Sequence, residues 1–313
     1  MLPLVLRRLL ATIPVMGVVA LFVFVLLRVA PGDPAAVIAG DYATSEDIAR
    51  IRAALGLDRA LHVQLGLWLG RLARGDLGVS IFSGLPVATL IQQRLEPTLA
   101  LTVLTMLLAV LAAVPLGVVA AWRRGAWIDR AIMVFAVSGF SMPVFWLGFL
   151  LMYLFAVSLG LLPVQGYTPA SHGLWPFLRH LVLPALTLAL VFMALIARMT
   201  RASMLGVLRE DYIRTAFAKG LAPGVVLARH ALKNASLPVA TVIGAGFALL
   251  IGGVVVTESV FAIPGIGRLT VDAILHRDYP VIQGVILLVS GAYVLVNLLI
   301  DLLYLVLDPR IRY

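Results

Sequence analysis

Six apolar stretches long enough to cross a bilayer constrain this chain more than any other feature of its sequence. A helix needs about 20 consecutive, mostly apolar residues to traverse the hydrocarbon core, where the backbone must satisfy its own hydrogen bonds. Such stretches run over about 9–29, 97–121, 131–158, 182–201, 237–262 and 281–306. Only 12% of the residues are charged, against about a quarter in ordinary soluble domains. The fold expected is an all-α integral membrane protein with six transmembrane helices. The first stretch follows Arg7 and Arg8 as a signal peptide would, but it is long and passes into "RVAPGDPA" without a small-x-small cleavage site. It is expected to stay as an anchor.

Basic residues in short loops report orientation. With the N-terminus inside, fourteen fall inside (Arg7, Arg8, Arg123, Arg124, Arg130, Arg198, Arg201, Arg209, Arg214, Lys219, Arg229, Lys233, Arg310, Arg312) and three outside (Arg179, Arg268, Arg277). Arg28 lies at the end of the first stretch, and the arginines from Arg50 to Arg94 belong to a long first loop, where charge counts little. Both termini are therefore expected in the cytoplasm. The same scatter argues against a nucleic-acid partner for the net charge of +9, since polyanion binding calls for a contiguous basic face. The chain has no cysteine and no His, Asp or Glu cluster of metal-ligand character within its spans, so no metal site is expected.

The external segment, about 30–96, has an organisation of its own. "APGDP" reads as a turn, and "TSEDIARIRAALG" as a helix capped by Thr44 or Ser45, with Ile48, Ile51 and Leu55 on one face and Gly56 as its stop. A second amphipathic run over about 60–73 aligns Leu61, Leu65, Trp68 and Leu72. A small helical cap is expected, serving as an interfacial anchor through Trp68 or as a ligand-binding element.

Absences narrow the function. Lys219 is followed by Gly220 and Lys233 by Asn234, so there is no Gly-Lys-Ser/Thr phosphate loop and any ATP coupling must come from a partner. There is no HExxH, and Ser138 and Ser141 lack a histidine at a common depth, which argues against intramembrane catalysis. Glu258 near the outer end of span five and Asp301 near the inner end of span six are candidate pathway groups, as ionisable residues within spans are. Each could equally bond a neighbouring helix or reach the interface. Pro143 is expected to kink span three, which makes it a third pathway or gate candidate, and Gly244, Ala248 and Gly252 mark a close helix approach.

"DYIRTAFAKG", residues 211–220, is a polar interruption between two of the most apolar spans. Asp211 is expected to cap a helix of two to three turns, with Lys219 in its last turn and Gly220 ending it. So short a helix needs a surface to dock on. A second short helix over about 225–235 should follow, with "LP" at 237 and 238 opening span five.

This stretch, followed by "LP", resembles the EAA loop of membrane subunits of bacterial ABC importers, and more narrowly the B-type permease of the dipeptide and oligopeptide importers, a group with nickel and glutathione members. The likeness extends over nearly the whole chain, through "LLRVAPGDPA", "RGDLG", "SMPVFWLG", "HLVLPALTLAL", "RMTRASML", "TESVFAIPGIGRL" and "DLLYLVLDPRIR". Arg214 stands where the general motif has Glu. The resemblance implies a type I importer permease fold over 1–313, with a coupling loop over 202–236. There Asp211, Arg214, Thr215, Ala216, Lys219 and Gly220 would engage an ATPase. It further implies a homologous second permease, two ATPase subunits that bind ATP and Mg, an external substrate-binding protein, residence in the bacterial inner membrane, and no catalysis by this chain. A peptide, a nickel complex, glutathione or a short sugar would be the cargo. The competing class is a self-sufficient carrier or channel that couples ions through Glu258 or Asp301.

Overall fold

The computed structural model describes residues 2–29, 34–39, 44–54 and 56–307. The turn at 30–33, Leu55, Arg310 and Arg312 lie outside them, as do the side chains of Arg7, Arg8 and Ile51. Among the described residues the architecture is helical, with one isolated antiparallel bridge between Val79 and Pro86. Four of the described helices are long and apolar enough to cross a membrane, or five if one bent pair is a single span.

The helices are α1 (Leu2–Val29), α2 (Pro34–Ala39), α3 (Ser45–Ala54), α4 (Leu61–Leu72), α5 (Val87–Trp122), α6 (Trp127–Ser141), α7 (Val144–Met152), α8 (Leu174–Val207), α9 (Asp211–Ala218), α10 (Pro223–Val225), α11 (Leu232–Gly253), α12 (Val255–Val260), α13 (Ile266–Leu275) and α14 (Tyr279–Leu307). Two compact units divide the chain: Met1–Glu96 with Pro264–Ala292, and Pro97–Ile263 with Tyr293–Tyr313.

In the first unit, Val87 and Ile91 of α5 pack with Ile266 and Leu269 of α13 and with Val281 and Val285 of α14. The expected helices of the outer segment are present as α3 and α4. On α4, Leu65, Trp68 and Leu72 are half-buried whereas Leu61 is exposed, and the Trp68 ring lies 5.7 Å from that of Phe24 in α1.

The second unit is built around α8, thirteen of whose residues are buried. Its core joins Leu101 and Met106 of α5, Leu181, Leu183 and Ile196 of α8, and Phe261 and Ile263 beyond α12. Of its most apolar window 61% is buried, against 11% for α14. An apolar helix left so bare within its own chain is one that lipid or another protein covers. The expected close approach in span five is made by Gly244, where a Cβ would come within 2.1 Å of Ile300. Ala248 is buried, but Gly252 is exposed. Gly246, which the spacing argument passed over, seats against Met106 and Phe192 instead.

Two expectations are corrected. Pro143 breaks span three rather than kinking it: α6 stops at Ser141, Met142 is extended, Pro143 is the N-cap of α7, and the two halves are bent by 103°. A proline ring disfavours helical geometry at the preceding residue, and the helix restarts only beyond it. Span five, in turn, begins earlier than "LP". The chain passes from α10 through a wide-turned π segment, Val226–Ala231, directly into α11, so the second short helix is the base of the span and Pro238 lies inside it.

Candidate coupling site

The polar stretch folds as α9, eight residues from Asp211 to Ala218. Asp211 is the first residue of the helix and not its cap. Glu210 holds the N-cap position, without a side-chain capping bond. The Asp211 carboxylate pairs with Arg214 at 2.7 Å on the exposed face, a contact worth a few tenths of a kcal/mol, of order ~0.3–0.5, at such a site. Thr215 Oγ1 donates to the Asp211 carbonyl at 3.0 Å. Lys219 is the C-cap. Gly220 takes φ 76°, and the N–H groups of Gly220 and Leu221 donate to Phe217 O (2.9 Å) and Ala216 O (3.3 Å). This is the Schellman closure, in which a left-handed residue satisfies the last carbonyls of a helix.

The helix docks on its own chain. Ile213 and Ala216, one turn apart, are buried among Ala121 of α5, Met204 of α8, Val226 and Ala231 of the π segment, and Ala235 of α11. Phe217 stacks on Trp122 with ring centroids 6.0 Å apart. Asn234 Nδ2 donates to the Tyr212 hydroxyl at 2.7 Å, tying the start of α9 to the base of α11. The cradle therefore joins the ends of three span helices, and α9 cannot shift without pressing on them.

Of the six residues picked out from the sequence, Asp211, Arg214, Thr215, Lys219 and Gly220 are exposed. Ala216 is not: it faces the cradle, where a larger residue would lift the helix. The three pathway candidates occupy separate elements. Pro143 marks the α6–α7 break. Glu258 of α12 is fully buried and accepts a 2.7 Å hydrogen bond from Thr98 Oγ1 of α5, the helix-bonding reading of that carboxylate. Asp301 is half-buried in α14.

One group beside the cradle was missed. Asp129, in the first turn of α6, receives two bonds from Arg201 of α8, Nε at 2.6 Å and Nη2 at 2.7 Å, with a third from the Gly125 N–H at 3.0 Å. A bidentate guanidinium–carboxylate pair fixes orientation as well as distance, so the start of α6 is clasped to the stretch of α8 that leads into α9. The signal is a lone acidic residue in "RRGAWIDR", a loop otherwise basic, whereas Arg201 reads in the sequence only as a topology charge.

Fold and site define a polytopic helical permease with a short helix seated between two spans. The chain belongs to the family described as binding-protein-dependent transport system inner membrane component: that family matches residues 113–313, and its N-terminal counterpart matches residues 1–102. It is a multi-pass inner-membrane protein. It is 57% identical, over 99% of both chains, to a probable peptide ABC transporter permease of Sinorhizobium fredii. Over the full length of both chains it is 43% identical to a dipeptide transport system permease of Alkalihalophilus pseudofirmus and 46% identical to a glutathione transport system permease of Salmonella choleraesuis. In fold it is similar to a chain of the inward-facing MetNI methionine ABC transporter, with a TM-score of 0.58 at 18% identity, over 71% of this chain and 97% of that one.

Proposed function

We propose that this chain is the permease subunit of an ATP-driven importer of peptides or a similar small solute, with α9 as the helix that couples it to an ATPase. The observation that carries the reading is the two-sidedness of α9: Ile213 and Ala216 lock it to the ends of α5, α8 and α11, while Arg214, Thr215 and Lys219 stand clear on the opposite side. A helix so placed passes a push from a cytosolic partner straight to the spans. ATP and Mg belong to two partner ATPases, since this chain carries no phosphate loop. A homologous second permease supplies the other half of the pathway, and an external binding protein delivers the cargo. ATP bound in trans favours one access state over the other, which is what a ligand must do to drive a switch. Peptide is the cargo favoured by the relatives' names, and glutathione is a member of the same chemical class.

The test is a pull-down of the tagged chain from mild detergent, comparing wild type with Arg214→Glu/Lys219→Glu. These side chains are exposed, so the reversal costs only the Asp211–Arg214 surface pair and keeps the buried contacts of Ile213 and Ala216. Wild type should retain two Walker-containing ATPases and a second permease, and the variant should lose ATPase recovery at least tenfold while inserting normally. Equal ATPase recovery by the two would remove α9 from the coupling role. A homo-oligomer free of ATPases would favour the ion-coupled carrier.

A further inference from the structure

A cleft of about 360 Å³ opens in the first unit, between the start of α5, the end of α13 and the turn at residues 80–83. Leu90, Leu269 and Val281 give it an apolar floor, and Arg94, Asp272 and His276 give it a polar rim. Its volume falls at the lower end of the range for small-molecule sites, roughly 300–1,000 Å³. The positive-inside count assigns this end of α5 and α14 to the outside.

The walls are held firmly. Arg277, at φ 53°, takes the left-handed position of a Schellman closure at the end of α13: its N–H donates to Ile274 O, and that of Asp278 to Ala273 O. A side chain larger than glycine is uncommon there. The closure delivers Asp278 to the turn, where its buried carboxylate accepts from the Ser80 hydroxyl and from the Ile81 N–H at 3.1 Å. Phe82 lies against the His276 ring at 4.0 Å, and His276 Nδ1 donates to the Asp272 carbonyl at 2.7 Å. The carbonyl can only accept, so Nδ1 is the donor of this bond.

The charges on the rim are the informative part. Arg94 is half-buried, and among the described residues its guanidinium has no ion-pair or hydrogen-bond partner, nor has the Asp272 carboxylate. Opposite charges that line one cleft yet do not meet leave an anion site and a cation site apart. A half-desolvated guanidinium gains most from a carboxylate able to accept from its fork.

We propose that this cleft binds a short unblocked peptide as a zwitterion, its carboxylate on Arg94 and its ammonium on Asp272. The assignment rests on the importer reading and adds to it a binding station on this subunit's outer face. Alanyl-alanine is the probe, compared by titration calorimetry with its N-acetyl and C-amide analogues on the intact chain in lipid nanodiscs. The free dipeptide should bind at least tenfold more tightly than either analogue. Arg94→Gln should abolish discrimination against the amide alone, Asp272→Asn discrimination against the acetyl form alone, and Arg94→Lys should restore part of the first. Equal binding of free and blocked dipeptides, or ratios untouched by these rim substitutions, overturns the proposal. So does displacement by glycerophosphoethanolamine at a tenfold lower concentration than the dipeptide, which would make the occupant a lipid headgroup. ATPase recovery by the same preparations separates the two readings: ATPases retained without dipeptide binding sinks the cleft alone, and ATPases absent sinks the importer.

Discussion

Helices α4 and α9 are closed in the same way and held in different ways. Neither has a side-chain N-cap. Each ends in a Schellman closure on a left-handed glycine: Gly75 at φ 78° with Gly75 N–H to Leu72 O and Asp76 N–H to Arg71 O, and Gly220 at φ 76° with the matching pair. Yet the twelve residues of α4 include none that is buried, whereas the eight of α9 bury two. Local chemistry thus decides where a short helix stops. Whether it can carry force is decided by what lies beneath it, because a helix this short draws its stability from packing and not from propensity.

The comparison breaks most visibly if the underside of α9 is removed. Ile213→Ala deletes a side chain that is 1% exposed, and such core truncations cost roughly 2–5 kcal/mol. Amide exchange over residues 216–221 should accelerate by two orders of magnitude or more, and ATPase recovery should fall with it. Leu69→Ala on α4, where the side chain is 40% exposed, belongs to the surface class that changes stability by about 0.5 kcal/mol or less. Equal exchange responses at the two helices would mean that the cradle does not hold α9.

A matched pair of smaller effects comes from the closing glycines. A Cβ at Gly75 or at Gly220 meets nothing within 4 Å, so alanine at either position imposes only the left-handed backbone penalty, about 1–2 kcal/mol. Gly75→Ala and Gly220→Ala should fray their last turns alike, with exchange of the closing amides rising about tenfold in each. Only the second should weaken ATPase association. A loss of ATPase binding in Gly75→Ala would contradict the assignment of coupling to α9.

Much of this was legible in the sequence, for reasons particular residues make plain. The four unbroken spans follow from long apolar runs that Pro115, Pro184 and Pro238 do not break, and α9 is bounded by Glu210 and Gly220, whose signals are local. Lys219 and Gly220 close the helix as their local signals indicate, whereas Asp211 sits one position past the cap and pairs with Arg214 instead. What escaped depends on partners distant in the chain. Asp129 and Arg201 are 72 residues apart, and no periodicity joins them. Gly246 packs on Met106 and Phe192 from two other helices, and the inward turn of Ala216 becomes visible only with the cradle. At Pro143 the direction was right and the size wrong, since one proline's effect on Met142 sets a boundary, but its neighbours decide whether the chain bends slightly or turns by 103°.

The smallest expected effect lies in the one aromatic contact that ties α4 to its surroundings. Trp68 and Phe24 meet tilted at 41° with centroids 5.7 Å apart, a geometry that contributes about 0.5–1.5 kcal/mol beyond the area it buries. At half-burial the lower figure applies, and Trp68→Leu keeps the apolar bulk while losing the ring pair. Exchange of the α4 amides should rise about twofold to threefold, the factor that ~0.5 kcal/mol gives, while protection of α9 and ATPase recovery stay as in wild type. If α9 also loses protection, the packing of α4 reaches α9 and the contrast between the two helices is wrong. If α4 is unaffected, Gln64, which donates to the Leu57 and Arg59 carbonyls at 3.2 and 2.8 Å, is what holds it, and the ring pair is only adjacency.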